Sequence, residues 1–287
     1  MSYRIITDTG CDISPELLSE WGTGAISLSF RFTDEDRDYT EADMPITDFY
    51  NEMRKGRVAK TAAVNIESFK SAFRPILEAG DDLIYIGFSS GLSSTYNSGR
   101  MAADELSREF PDRKIYTVDS LCASAGQGLL VYLACEKQRS GADVDATFEY
   151  VKEMAPKVSH RFTVDDLVYL KRGGRVSAAS AFFGNLLGIK PVLHVDDEGK
   201  LVPVNKVRGR RTSLLDIVKA YGATAKNTAE GPVFISHADC MADVEFVVAE
   251  LKRQYGVDVN VITNVGAVIG AHSGPGTFAL FFIAKER

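Results

Sequence analysis

The sequence predicts an α/β protein of two domains, an N-terminal mostly parallel sheet with helices on both faces and a C-terminal mixed sheet flanked by helices. Three observations carry that prediction. Short β-rich runs alternate with longer amphipathic segments through the first half, the pattern of strands joined by crossover helices. In the second half, Asp196-Asp197-Glu198-Gly199-Lys200 parts two apolar runs as a hairpin turn would, so neighbouring strands there run antiparallel. At 287 residues and 45% hydrophobic content, the chain is long enough for two sizeable cores.

In chain order, residues 4–7 read as a strand ending at Asp8-Thr9-Gly10, and Ser14-Pro15-Glu16 reads as a helix start with serine as cap and proline at the first helical position. The charge run Asp34-Glu35-Asp36-Arg37-Asp38 is a solvated loop. Residues 83–88 and 114–118 read as strands that end, like the first, in Asp, Ser or Thr. Carboxyl ends of parallel strands share one edge, so these polar tips should meet at one crevice. The periodic run 144–154 stops near Pro156, and a new β register follows, which divides the chain into 1–157 and 158–287. Strands of the second half fall at 161–164, 190–195, 201–206, 233–236, 258–263 and 278–283. Residues 177–189 form a helix apolar on most faces, small at first and bulky later, which must be covered nearly all round.

Composition narrows the function. A net charge of -6 argues against a general nucleic-acid binder, whose phosphate affinity needs a basic surface. Cys11, Cys122, Cys135 and Cys240 are scattered without a C-x-x-C pair, which suggests neither a zinc knuckle nor a disulfide framework and fits a reducing cytoplasm. No secretory leader and no apolar run of membrane-spanning length is legible.

The most informative stretch is 83–96, where Leu-Ile-Tyr-Ile breaks into Gly87-Phe88-Ser89-Ser90-Gly91-Leu92-Ser93-Ser94-Thr95. It reads as strand, tight turn and helix start, a place where unpaired amides and hydroxyls hold an anionic oxygen group. Without a Lys or Arg in the turn, neutral donors favour a carboxylate over a phosphate. Gly87-Phe88-Ser89-Ser90-Gly91 also satisfies the G-x-S-x-G elbow of serine hydrolases, with Asp239 or Asp243 and His272 available for a triad. No H-G-G-G segment precedes it, and a hydroxyl-rich cap without ligand is the plainer alternative. His272 sits in Ala271-His272-Ser273-Gly274-Pro275-Gly276, a small-residue loop that leaves the imidazole free to enter a cleft; His160, His194 and His237 read as structural. Lys171, Arg172 and Arg175 surround paired glycines at a helix end, and Lys206, Arg208, Arg210 and Arg211 form a basic cluster, in the simplest case solvated surface.

Taken together, the ordered motifs resemble the DegV family over nearly the whole chain: Ile6-Thr7-Asp8-Thr9, the run 89–96, Val118-Asp119-Ser120 with Ser124 and Gly126, the run 167–176, Ile189-Lys190-Pro191, Lys206-Val207-Arg208-Gly209 and the run 272–276. The resemblance implies a fatty-acid-binding protein, the lipid-presenting subunit of a fatty acid kinase system, with the acyl chain in a tunnel of the second domain and the carboxylate near the interface. It implies Thr61 and Ser93 as carboxylate hydroxyls, with His272 in the family's H-x-G-P-G loop; Ser94 is expected beside the same anion, and the basic clusters themselves offer Arg172, Arg175, Lys206 and Arg208 as headgroup or partner contacts. The expected partners are a long-chain fatty acid, a separate ATP-dependent kinase and, transiently, a membrane surface, with no nucleic acid. No catalytic residue, cofactor or metal is expected, and the serine hydrolase stands as the alternative. A third class, resembling dihydroxyacetone kinases, would have His272 capture a small ketone. Two departures from the family pattern stand out: Thr61-Ala62-Ala63-Val64-Asn65 where Thr-Ser-Gln-Pro-Ser is common, and Ser94 where glycine is usual.

Overall fold

The computed structural model describes residues 2–176, 188–228 and 231–285. The first half runs β1 (Tyr3–Asp8), α1 (Pro15–Trp21), β2 (Gly24–Ile26), β3 (Ser29–Phe32), α2 (Ile46–Arg54), β4 (Ala59–Ala62), α3 (Ile66–Glu78), β5 (Asp82–Gly87), α4 (Thr95–Glu109), β6 (Ile115–Asp119), α5 (Ala125–Arg139) and α6 (Val144–Met154). The second half continues β7 (Val158–Thr163), α7 (Leu167–Gly173), β8 (Ile189–Val195), β9 (Leu201–Arg208), α8 (Arg210–Thr224), β10 (Val233–His237), α9 (Met241–Tyr255), β11 (Val261–Asn264), α10 (Ala267–Ser273) and β12 (Phe278–Ile283). The apolar segment expected to be helical at 177–189 lies, up to residue 187, outside the described residues.

Two principal sheets result. The first is wholly parallel in the order β2-β1-β5-β6. The second has the order β11-β10-β12-β7-β8-β9 and is mixed: among the described residues β10 pairs with β11 in parallel and the other neighbours are antiparallel, and β8 and β9 form the hairpin expected around residues 196–200. Strand β5 shows why the first sheet carries helices on both faces. Its side chains alternate, Leu83 and Tyr85 packing with Phe69 and Phe73 of α3 and Ala102 and Leu106 of α4, while Ile84 and Ile86 pack with Leu129 of α5 and Val151 of α6. In β12, Ala279 and Phe281 join that same α5 core, and Phe278, Leu280 and Phe282 face Leu214 and Ile217 of α8 and Val244 and Val247 of α9. Helix α5 is therefore a middle layer shared by both sheets.

Close approach at α5 depends on glycine. A Cβ on Gly126 would lie 2.2 Å from His160 Nε2, and one on Gly128 2.4 Å from Ile13 Cγ1. Helix starts follow the capping rules: Ser14 Oγ accepts from Leu17 N at 3.3 Å with Pro15 at the first helical position, and Asn65 Oδ1 accepts from Ser68 N at 2.8 Å.

A third, two-stranded antiparallel ladder, β3 with β4, escaped the sequence reading. Its strands are four residues each and Ala59-Lys60-Thr61-Ala62 carries little β-forming character, so tertiary packing decides them. Phe30 and Phe32 of β3 anchor the ladder against Phe49 and Tyr50 of α2 and Ala267 and Ala271 of α10.

Candidate functional site

The carboxyl ends of the parallel strands do converge, but mainly on one another. Buried Asp8 accepts from Tyr85 Oη at 2.7 Å, Phe88 N at 2.9 Å, Gly10 N at 3.0 Å and Gln127 Nε2 at 3.2 Å. Burial raises its pKa against the pull of these donors. Asp119 Oδ1 takes the amides of Ser90 and Leu121, each at 3.1 Å. These carboxylates fix the turn after β5 instead of facing a ligand.

Inside that turn the amides expected to hold an anion are already occupied. Besides Ser90 N on Asp119, Gly91 N donates to Ser89 Oγ at 3.2 Å, and Leu92 N and Ser93 N donate to Ser89 O at 3.0 and 3.1 Å. What the turn offers instead is side chains. Ser93 Oγ accepts from Thr95 N at 3.2 Å and lies 2.9 Å from Thr95 Oγ1, while Ser94 is exposed. Ser89, the candidate nucleophile, is fully buried, and its hydroxyl donates to Gly199 O at 2.8 Å. Asp239 pairs with Arg54 at 2.5 Å and Asp243 with Arg210 at 2.8 Å, while His272 pairs with Thr61, so the hydrolase triad is not assembled.

Thr61 and His272, 211 positions apart, meet at 2.8 Å from Oγ1 to Nε2. Strand β4 supplies the threonine and the last turn of α10 the histidine. On the far side of the ring, a Cβ on Gly173 would lie 2.2 Å from His272 Nδ1, so α7 closes against the imidazole. Burial, and secondarily the Arg175 charge, lower the His272 pKa to about 4, which keeps the ring neutral at ordinary pH. Arg175 bridges the two halves of the chain, donating to Leu92 O at 3.3 Å and Gly173 O at 2.5 Å from an exposed position.

These groups share the wall of one cavity of about 280 Å³, near the low end of the roughly 300–1,000 Å³ usual for ligand pockets. Thr61, Ser93, Ser94, Arg175 and His272 line it together, and so do Phe88, Phe162, Leu201, Val268, Ile269 and Phe281. Its walls come from both halves of the chain, between the tips of the first sheet and the α5-facing side of the second. Arg172, Lys206 and Arg208 are not part of this wall: Arg172 lies over the Tyr169 ring, 5.9 Å from its centroid, and the other two are exposed on edge strand β9. Arg210 departs further from the solvated-surface reading, since its guanidinium grips Asp243 and the Gly276 carbonyl.

The sequence reading missed Ser236 and Val265, which also line the cavity, and took His160 as structural only; Ser273, which it left free to enter a cleft beside His272, is in the wall as well. His160 is in the wall, yet its nitrogens serve the backbone, Nε2 accepting from Ala123 N and Nδ1 facing Val158 O, each at 3.2 Å. Ser124 Oγ bonds Asp12 and, at 2.9 Å, Ser236 Oγ. No sequence signal marks Ser236, which sits inside a fully buried strand.

Behind this wall lie two carboxyls, those of buried Asp12 and half-buried Glu41. A Cβ on Gly266 would lie 2.0 Å from Glu41 Oε1 and 2.7 Å from Asp12 Oδ1, so both oxygens crowd the start of α10. Burial raises both pKa values, that of Glu41 to about 7, and Glu41 raises Asp12 further. Among the described residues no group of three or more His, Cys, Asp or Glu is arranged to hold a metal ion, and no helix is long and apolar enough to cross a membrane.

Comparison with known proteins agrees with the motif pattern. The family model described as uncharacterised protein, DegV family, matches residues 2–285. A DegV domain-containing protein of Clostridium perfringens is 37% identical over 99% of this chain and 98% of its own length. One from Streptococcus pyogenes is 34% identical over 100% and 99%. Among solved structures, a DegV lipid-binding protein of Thermotoga maritima superposes with a TM-score of 0.86 at 30% identity, covering 100% of both chains. DegV of Bacillus subtilis, a fatty acid binding protein, gives 0.86 at 28% identity over 99% of this chain and 100% of its own.

Proposed function

This chain belongs to the DegV family, and on that premise we propose that it binds a long-chain fatty acid, burying the alkyl chain and presenting the carboxylate to a separate ATP-dependent kinase. The observation that carries the reading is one cavity whose wall combines apolar side chains with the hydrogen-bonding groups of Thr61, Ser93, Ser94 and His272. The lipid- and fatty-acid-binding neighbours from Thermotoga maritima and Bacillus subtilis support it.

The chemistry divides between the two ends of the ligand. An alkyl chain of about sixteen carbons gains roughly 0.8 kcal/mol per buried CH2, a gross drive above roughly 10 kcal/mol that ordering costs reduce. Tail burial supplies affinity, and the hydroxyls and imidazole supply orientation. Arg175 adds positive potential at the headgroup, which favours a carboxylate and would also favour an acyl phosphate. Arg172, Lys206 and Arg208, outside the cavity, are the contacts offered to the kinase, with a transient membrane contact serving lipid exchange. Nucleotide binding falls to the partner.

Extraction of the purified protein with organic solvent, followed by mass spectrometry, should release stoichiometric long-chain fatty acid. A clean extract, together with failure of the protein to take up added palmitate, would remove the reading. Supplied with a fatty acid kinase and ATP, the loaded protein should yield acyl phosphate, and Ser93→Ala should lower that yield.

A further inference from the structure

The loop that follows His272 is gripped from outside the cavity by a side chain that touches no part of the cavity wall's polar cluster. Arg210 opens α8, and its Nη2 donates to the Gly276 carbonyl at 2.6 Å. The same guanidinium holds Asp243 Oδ2 through Nε at 2.9 Å and Nη2 at 2.8 Å, and lies 3.7 Å from Asp165 Oδ1 through Nη1. Asp165 is itself held by Lys190 Nζ, at 2.9 Å to both its carboxylate and its carbonyl. Arg210 and Asp243 are 20% and 25% exposed, so the pair is sheltered enough to matter.

Both sides of the His272 ring lead back to this one cation. On one side the chain from Ser273 to Thr277 turns through Gly274 and Gly276, with φ of +82° and +77°. It is tied to the end of β10 by Gly276 N to Ala238 O and Ala238 N to Thr277 O, each 2.8 Å. On the other side, α7 starts just after Asp165 and packs closely: a Cβ on Gly274 would lie 2.3 Å from the Tyr169 ring, and one on Gly276 2.3 Å from Asp165 Oδ2. Gly173, at the end of the same helix, meets His272 Nδ1. Arg210 thus joins the loop carrying His272 to the helix that backs it.

We propose that Arg210, braced by Asp243 and Asp165, is the positioning residue that sets His272 against Thr61 for recognition of the ligand's carboxylate. It acts on the headgroup end alone, because none of its contacts reaches the apolar wall. The ligand part of this inference rests on the fatty-acid reading above; the orientation of His272 does not.

The test compares the full chain, stripped of lipid, with its Arg210→Ala and Arg210→Lys variants, binding palmitate and hexadecanol, which share a tail and differ in the head. Arg210→Ala should weaken palmitate about 10-fold and hexadecanol less than about 2-fold, with Arg210→Lys between. NMR of the His272 ring, assigned by its loss in His272→Gln, adds a readout independent of ligand: the ring should resist protonation in the parent and titrate nearer an ordinary histidine in Arg210→Ala. Should the alanine variant fail to fold, the lysine variant carries both measurements. Equal losses for the two lipids, or no loss with an unchanged His272 titration, overturns the proposal. If the parent binds neither lipid, the fatty-acid reading fails while the NMR comparison still decides whether Arg210 positions the histidine.

Discussion

At the scale of the residue, the candidate site turns on the Thr61–His272 pair, which joins β4 to α10. Neither residue announces itself: Thr61 sits in a short, weakly β-forming strand, and a lone histidine is more often structural. Only the order of motifs along the whole chain, as a family resemblance, singled out Thr61, whereas the small-residue loop around His272 was legible in itself because paired glycines flank Pro275. The structure supplies the missing fact, 2.8 Å between them. Thr61→Val keeps the shape and removes the hydroxyl, so His272 Nε2 loses its partner inside a sheltered site. Palmitate affinity should fall by about 1 kcal/mol, or several-fold, and thermal stability by a similar amount. Calorimetric titration and a melting curve check the two together; a variant that binds as tightly as the parent would remove Thr61 from the site.

Elements repeat this division between what patterning dictates and what packing decides. Strands β1, β5, β6 and β12 were legible within a residue or two because they are apolar runs bounded by polar tips, and the β8–β9 hairpin because its turn is charged and glycine-bearing. Strands β2, β3 and β4 were not, being three or four residues long and held by neighbours distant in sequence. Helix α5 is a further case: nothing in the sequence reading marked that it would serve two sheets at once. Gly126 makes that double role possible, because a methyl there would meet His160 Nε2 at 2.2 Å and Phe281 Cδ1 at 2.8 Å. Gly126→Ala should therefore cost roughly 1–3 kcal/mol, as overpacking of a tight core does. Gly24→Ala, with nothing within 4 Å of the added Cβ, should leave the denaturation midpoint almost unchanged. Equal midpoints for the two variants would contradict the shared layer.

For the whole molecule, the division into 1–157 and 158–287 is proposed as one of chain organisation, and the α5 core, drawing on Ile84 and Leu129 as well as Phe162 and Phe281, couples the two parts. Unfolding should then be a single transition. Its pH dependence includes two half-buried groups of opposite sign. His272, lowered from 6.5 to about 4, contributes stability fully present above pH 6.5 and lost as pH falls towards 4. Glu41, raised from 4.5 to about 7 by burial beside Asp12, contributes stability fully present below pH 4.5 and lost as pH rises through 7. Above pH 6.5 the histidine has finished titrating, so the decline towards pH 8 belongs to the carboxyl pair. Glu41→Gln, neutral at every pH and still able to accept from Ala267 N, should lessen that decline and gain on the order of 2 kcal/mol over the parent at pH 8, a difference that shrinks towards pH 5. Urea midpoints at pH 5, 6.5 and 8 measure it. Parallel curves for parent and variant would mean that the Glu41 carboxyl is not raised in the folded protein, and would remove it as the source of the decline.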